Sequence, residues 1–376
     1  MKFSIILSEL SKQLQEVSSI AGISPGKDDI TQNIYISVKD NLLELKATDY
    51  NIELIAKIPL TDVSSEGAII MNASKLREAL KNIDPRTSVS FELDESNQKL
   101  ILSADSTTFE IRTRSADDFP KFETEDIVQS IVLKQNQLKS LLDKSLFCVA
   151  PEDFRDYLKG VRFEVNGTTL SVFTSDGHRM AILETQIESP VNEFFGAILT
   201  KRGASQLSKI ISANSDAEIV LSFTKNSMTT SCNGYSLSSK LIVCAYPNVR
   251  ALIPRDVIAS IKIPRQELCS YIKRVSVLSS KRVNGVTFTF NNNAVDLHCE
   301  NSEHEVATAK MQLPYQGEQL EISLKSTYVV EILNIIDCNN VNFCFSSIMS
   351  GILIDPDLDV DDAGIKYRYI VSKVVI

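Results

Sequence analysis

Three amphipathic stretches of this chain repeat at nearly constant spacing, and that repeat constrains the fold more than any other feature. "ILSELSKQLQEVSS" begins at Ile6, "LKQNQLKSLLDKSL" at Leu133 and "IPRQELCSYIKRVS" at Ile263. Superposing Leu10, Leu138 and Leu268 also brings Leu14, Leu142 and Ile272 together, with steps of 128 and 130 residues. A second helical pattern, starting at Asn72, Thr200 and Lys325, recurs with steps of 128 and 125. Two unrelated segment types sharing one domain-sized period indicate a triplicated domain, not a solenoid. A chain of 376 residues is also too long for one ordinary core.

Between the helical patterns run alternating strands. Val161, Phe163 and Val165 precede an Asn166-Gly167 hairpin signal, and Leu170 and Val172 follow it. "GVTFTFNNNAVDLHC" from Gly285 and "NIYISVKDNLLELKA" from Asn33 are its counterparts. Each repeat therefore reads as helix, antiparallel strands, helix, more strands: an α+β plan with two helices on one face of a sheet. Boundaries are expected near 126 and 255, giving domains 1–126, 127–254 and 255–376.

The stretch "FTSDGHRMAI" places Ser175, Asp176 and His178 within four residues. These are the parts of a hydrolase triad, but a triad is assembled from separated segments. The repeat offers a simpler reading. "ATDYNIEL" at 47–54 and "CENSEHEV" at 299–306 fill the same slot, a turn between strands, where Asp or Asn with Gly is usual chemistry. The chain is accordingly read as a non-enzyme. His298, Cys299, Glu303 and His304 lie on a strand and its turn and point alternately, so no metal centre is expected. The acidic run "DPDLDVDD" at 355–362 lacks the glycine and glutamate of a calcium loop and reads as a solvated loop. No cofactor is implied.

Seven scattered cysteines without a CxxC pair read as reduced thiols. No apolar run approaches the ~20 residues of a membrane span, and the start reads as no signal peptide, so a cytoplasmic protein is expected. Net charge is −9, yet the six helical windows are together basic, and the remainder is strongly acidic. If the apolar helix faces pack on the sheets, their polar faces share one side. Such a surface attracts phosphates without reading bases. Lys139, Lys144, Lys201 and Arg202 are its main candidates.

The whole length resembles the bacterial sliding clamps, the beta subunits of DNA polymerase III. The resemblance rests on the "MKF" start, "SADDFP" at 115–120, "YLKG" at 157–160, "TSDGHRMA" at 174–181, "YPNVRALIP" at 246–254 and "YVVEILN" at 328–334. It implies a head-to-tail homodimer closing into a ring of six similar domains, with helices lining a hole for duplex DNA. It implies as partners the catalytic subunit of DNA polymerase III, a clamp loader, and other polymerases and repair factors carrying clamp-binding peptides. A non-DNA scaffold of three repeated domains is the alternative.

Carried over residue by residue, the resemblance places DNA contacts at Ser24, Ser74, Glu152 and Tyr157. Ser24 and Ser74 stand where the family often has Arg, and Lys27 and Lys75 are neighbours able to supply the charge. It places a peptide pocket at Leu158, Ser175, Gly177, His178, Arg179, Met180, Pro247, Ala251, Leu252, Ser350, Ile370 and Val371, with His178 and Arg179 as a polar rim. The ending "IVSKVVI" departs from the family pattern, and Val374, Val375 and Ile376 are expected to extend the pocket's apolar surface. Ala251 stands in place of a basic residue. For the dimer contact, Phe109 and Ile111 alternate to one face beside Arg112 and Arg114. They are expected to meet Val277 and Leu278 of a partner, with Glu300, Glu303 and Glu305 supplying opposite charge.

Overall fold

A computed structural model of the chain describes residues 1–22, 29–123, 125–280, 283–347 and 350–376. Among these residues six α-helices occur: α1 (Leu7–Ser18), α2 (Ala73–Leu80), α3 (Gln135–Asp143), α4 (Lys201–Ile210), α5 (Arg265–Val275) and α6 (Ser326–Ile335). Each begins directly at the end of a strand, with α1 leaving Lys2–Ile6 and α2 leaving Gly67–Asn72. The residue before the helix is still extended, and at α2 the Asn72 side chain accepts the Lys75 N–H at 3.0 Å. The aligned positions Leu10, Leu138 and Leu268, and Leu14, Leu142 and Ile272, are all buried. That burial is the physical content of the repeat, since each helix turns one apolar stripe onto a sheet.

The chain forms two compact units. The first comprises Met1–Val132, Lys209–Ile211 and Ala217–Leu241; the second comprises Leu133–Ser208, Ser212–Asp216 and Ile242–Ile376. These units cut across the sequence repeats. In the first, the strand Tyr235–Lys240 pairs antiparallel with Ile52–Pro59, from Tyr235 opposite Ala56 to Ser239 opposite Ile52. Strands from two repeats thus share one 13-stranded sheet. Tyr235 and Leu237 point into the core, and Ser236 and Ser238 point outward.

The second unit holds a six-stranded and a four-stranded sheet. In the larger, Arg179–Thr200 pairs antiparallel with Lys366–Ser372, from Arg179 opposite Val371 to Glu184 opposite Lys366. The segment Gly160–Ser175 runs as one strand through Asn166 and Gly167, so the hairpin expected there is instead an irregularity within a single strand pairing. Gly167 has φ 59°, and the register against Arg179–Thr200 jumps on both sides of it. All seven cysteines are free; Cys148, Cys269, Cys299 and Cys344 are buried and the others half-buried. Burial pushes the Cys148 thiol pKa well up. Among the described residues no helix is long and apolar enough to cross a membrane.

Candidate partner groove and nucleic-acid surface

The Ser175–Arg179 turn is closed by its own side chains. Ser175 Oγ donates to the Arg179 carbonyl at 2.8 Å and accepts the Gly177 N–H at 3.0 Å. Asp176 accepts the His178 and Arg179 N–H groups, both at 2.9 Å. Gly177 sits at φ 86°, which disfavours a side chain. His178 is exposed, and the Ser175 hydroxyl proton is committed to a backbone carbonyl, so the trio is turn chemistry and not a nucleophile with its base.

Beside the turn an apolar cluster is gathered from four stretches: Phe173, Met180 and Ile182; Val249; Cys344 and Leu353; and Ile370. Tyr246 and Ile253 pack against it. Met180 and Ile370 are opposite one another across the sheet, which fixes how these sequence-distant residues meet. Leu158 is buried in the adjoining loop, and Tyr157 meets Tyr246 edge-on at 6.1 Å. Pro247, Ala251 and Leu252 are exposed, Leu252 at 59%, on the short helical turn Val249–Leu252 and just before it. Val371 is fully buried, and Ser350 is exposed with its carbonyl accepting from Lys373 N at 3.1 Å.

Arg179 corrects an expectation. It is no rim residue: only 8% exposed, it is held on every side. Its guanidinium donates to Asp176 at 3.0 Å, to the Phe147 carbonyl at 2.8 Å and to Glu331 of α6. It also stacks 4.3 Å from the Tyr328 ring centroid. The tail corrects another. Val374 N donates to the Ser323 carbonyl at 2.8 Å, and a Cβ on Gly285 would lie 2.7 Å from Ile376. The last residues therefore run onto the Gly285–Asn291 and Leu320–Lys325 strands and do not extend the groove.

Sequence reasoning missed Arg155 and Arg250. Arg155 forks onto Asp153 at 2.9 and 3.0 Å and lies over Gly177, where an added Cβ would come within 2.4 Å of its terminal nitrogen. The hydrogen bonds from Arg155 bring the Asp153 carboxyl pKa down to about 2. Arg250 lies 4.9 Å over the Phe173 ring and donates to Ser171 at 2.9 Å and Glu184 at 3.2 Å. The available signal was Arg250's place inside "YPNVRALIP", but its partners lie 66 and 79 residues away.

The helix cations also differ from expectation. Lys144 is engaged by Asp337 and Asp361, both at 3.1 Å, and its side chain is 12% exposed. Burial alone would lower its pKa, but hydrogen bonds and charge from Asp337 and Asp361 outweigh that and raise it. Asp361 also accepts the Ala363 and Ile365 N–H groups, so this part of the acidic run is a pinned loop, not a freely solvated one. Lys139 donates to Asp143 at 3.0 Å and to Ser208. Lys201 donates to the Val149 carbonyl at 3.1 Å. Ser74, Lys75, Glu152 and Arg202 are exposed, and Tyr157 is half-buried. Ser24 and Lys27 lie outside the described residues.

Residues 1–123, 132–248 and 250–367 match, in order, the N-terminal, central and C-terminal domains of the DNA polymerase III beta subunit. The chain belongs to the beta sliding clamp family. The beta sliding clamp of Vibrio cholerae is 29% identical over 367 residues, covering 98% of each chain. That of Haemophilus influenzae is 27% identical over 369 residues, again covering 98% of each. A crystal structure of a Pseudomonas aeruginosa DnaN sliding clamp bound to griselimycin superposes with TM-score 0.93 at 26% identity, over 100% of both chains. The fold is thus the three-domain α+β clamp, and the function is that of a DNA sliding clamp, with DNA and a polymerase as its partners. Sliding clamps are processivity factors and not enzymes, in keeping with a Ser-Asp-His trio spent on a turn.

Among the described residues, two strand edges carry the positions expected at a subunit contact. Thr107–Ser115 pairs with Lys99–Ala104 on one side and, through Thr113–Ser115, with Gly67–Asn72 on the other. Phe109 and Ile111 stand half-buried on that strand. Val306–Gln312 is one of the two edge strands of the four-stranded sheet, Leu320–Lys325 being the other. Val277 is 78% exposed and Leu278 half-buried. Of the three glutamates, Glu300 binds His304 at 2.7 Å and Glu305 accepts from Asn301 at 2.7 Å, while Glu303 is exposed.

Proposed function

We propose that two copies of this cytoplasmic chain close head to tail around duplex DNA, each made of three clamp domains, 1–126, 127–254 and 255–376. The open stretch of Thr107–Ser115 with Phe109 and Ile111 would meet the third domain of the partner, near Val277 and Leu278. The unpaired side of Thr107–Arg112 with half-buried Phe109 and Ile111, and the edge position of Val306–Gln312 with exposed Val277 on the separate turn Ser276–Leu278, favour this reading. A sedimentation mass near twice 41.8 kDa is expected, and Ile111→Asp with Leu278→Asp should leave monomers. A dimeric double variant would misplace the interface.

The groove beside Ser175–Arg179 takes a short peptide from the polymerase, and in turn from the clamp loader, other polymerases and repair factors. One observation carries this: buried Met180, Val249 and Ile370 converge beside exposed Pro247 and Leu252. Burying two apolar peptide side chains there is worth ~3–6 kcal/mol before ordering costs, which suits exchange between partners. Leu252→Asp should abolish binding of a peptide ending in a Leu-Phe pair preceded by Gln while the fold survives. Retained binding would place the peptide elsewhere.

DNA contact is electrostatic and blind to sequence. Exposed Lys75 and Arg202, with Lys139, Lys144 and Lys201, are the candidate cations for phosphates, and Ser74, Glu152 and Tyr157 are the other candidate contacts. Ser24 and Lys27 keep the assignment that the family resemblance gives them. Lys75→Glu with Arg202→Glu should lower the salt slope of DNA binding by up to about four, two contacts from each copy, and an unchanged slope would remove both from the DNA face.

A further inference from the structure

We infer that Arg179 is a positioning residue, which shapes the peptide groove through Glu331 of α6 without being a contact for the peptide. The inference rests on the groove reading above. Its first support is burial: at 8% exposure the guanidinium has no open face to offer a ligand. Its second is the set of partners. Asp176 ties Arg179 to the turn, the Phe147 carbonyl ties it to the end of the second repeat's first helical segment, and Glu331 and Tyr328 tie it to α6 of the third. One side chain thus joins the groove wall to elements 32 and 152 residues away.

The consequence for the groove is geometric. Asp176 holds the His178 and Arg179 N–H groups and the Arg179 guanidinium at once. Arg179 also opens the strand pairing with Val371, one residue from the Met180–Ile370 pair on the groove floor. Releasing the guanidinium removes one of the three bonds that Asp176 accepts in this turn, and loosens the side chain at the residue where the ladder to Val371 begins. Glu331 is half-exposed on α6 and bonds Arg179 from the side away from the turn, so its removal tests the positioning role without touching groove residues. Charge-assisted bonds of this kind are the stronger ones, and their loss registers in binding.

The test is a double-mutant cycle on peptide affinity, using the fluorescein-labelled Leu-Phe peptide and the full chain. Glu331→Ala is expected to weaken binding about fivefold while dimer mass stays as in the parent and thermal unfolding remains cooperative, at a somewhat lower temperature because Arg179 loses a charged partner. Arg179→Met is expected to weaken it at least as much, with Arg179→Lys intermediate, because one ammonium cannot serve three acceptors. Combining Glu331→Ala with Arg179→Met should add little to Arg179→Met alone. Unchanged affinity in Glu331→Ala, or factors that simply multiply in the double variant, would overturn the inference and make Arg179 an independent peptide contact. Leu252→Asp is run alongside. If that variant still binds, the groove assignment itself fails, an outcome separate from the cycle.

Discussion

The turn Thr48–Ile52 in the first repeat and the turn Ser175–Arg179 in the second are closed by the same bonds. Thr48 Oγ1 donates to the Ile52 carbonyl at 2.9 Å and accepts the Tyr50 N–H at 3.1 Å, as Ser175 does for Arg179 and Gly177. Asp49 accepts the Asn51 and Ile52 N–H groups at 2.9 Å, as Asp176 does for His178 and Arg179. Tyr50 and Gly177 both have positive φ, 69° and 86°. The difference lies in what stands on the shared frame. Tyr50 is 52% exposed and Ile52 is buried, whereas Gly177 admits Arg155 and Arg179 reaches α6. A hydroxyl residue followed by Asp makes the turn in either place, Thr48-Asp49 or Ser175-Asp176, and the third and fifth positions decide whether it walls a groove.

The sharpest way to break this comparison is to remove the matching aspartates. Asp176→Ala should cost about 3 kcal/mol, because a buried guanidinium loses a charged partner along with two capped N–H groups. Asp49→Ala should cost about 1 kcal/mol, since it removes the capping alone. Equal losses in urea unfolding would mean that Arg179 draws nothing from Asp176.

Exchanging the third positions comes next. Gly177→Tyr should displace Arg155 and lower peptide affinity at least about tenfold, at a stability cost of about 1–2 kcal/mol from the left-handed backbone. Tyr50→Gly should leave peptide binding unchanged and shift stability by less than about 1 kcal/mol. Unaltered peptide affinity in Gly177→Tyr would show that Arg155 need not lie over the turn.

The smallest effect concerns acid. The Asp153 pKa is depressed to about 2 by Arg155, below its ordinary 3.8. Its stabilising contribution is therefore present above the ordinary value and is lost as pH falls through about 2. Asp153→Asn should be less stable than the parent at pH 5, and the gap should close toward pH 2. A gap independent of pH would assign the loss to packing.

Much of this was legible because local chemistry recurs. Leu10, Leu138 and Leu268 announce helices by their spacing, and Asp176 with Gly177 announces a turn. Neither signal depends on distant partners. Lys144 and Arg179 read differently for the opposite reason: charge counting took Lys144 as available and the family resemblance put Arg179 on a rim, but their partners Asp361, Asp337 and Glu331 lie far along the chain. Arg155 was missed because its importance comes from the glycine beneath it. The exchange of strands between repeats was hidden because Tyr235–Lys240 alternates as any half-buried strand does, whichever neighbour it pairs with.

That exchange bears on how the molecule folds and how it can be dissected. Amides along Tyr235–Lys240 and Ile52–Pro59 protect one another, so hydrogen exchange should group them in one cooperative unit although they belong to different repeats. A fragment cut at residue 126 would leave Tyr235–Lys240 with a bare edge, ready to pair with another copy of itself. The repeat in the sequence is thus not the unit of cooperativity, and the middle third of the chain should aggregate when expressed alone.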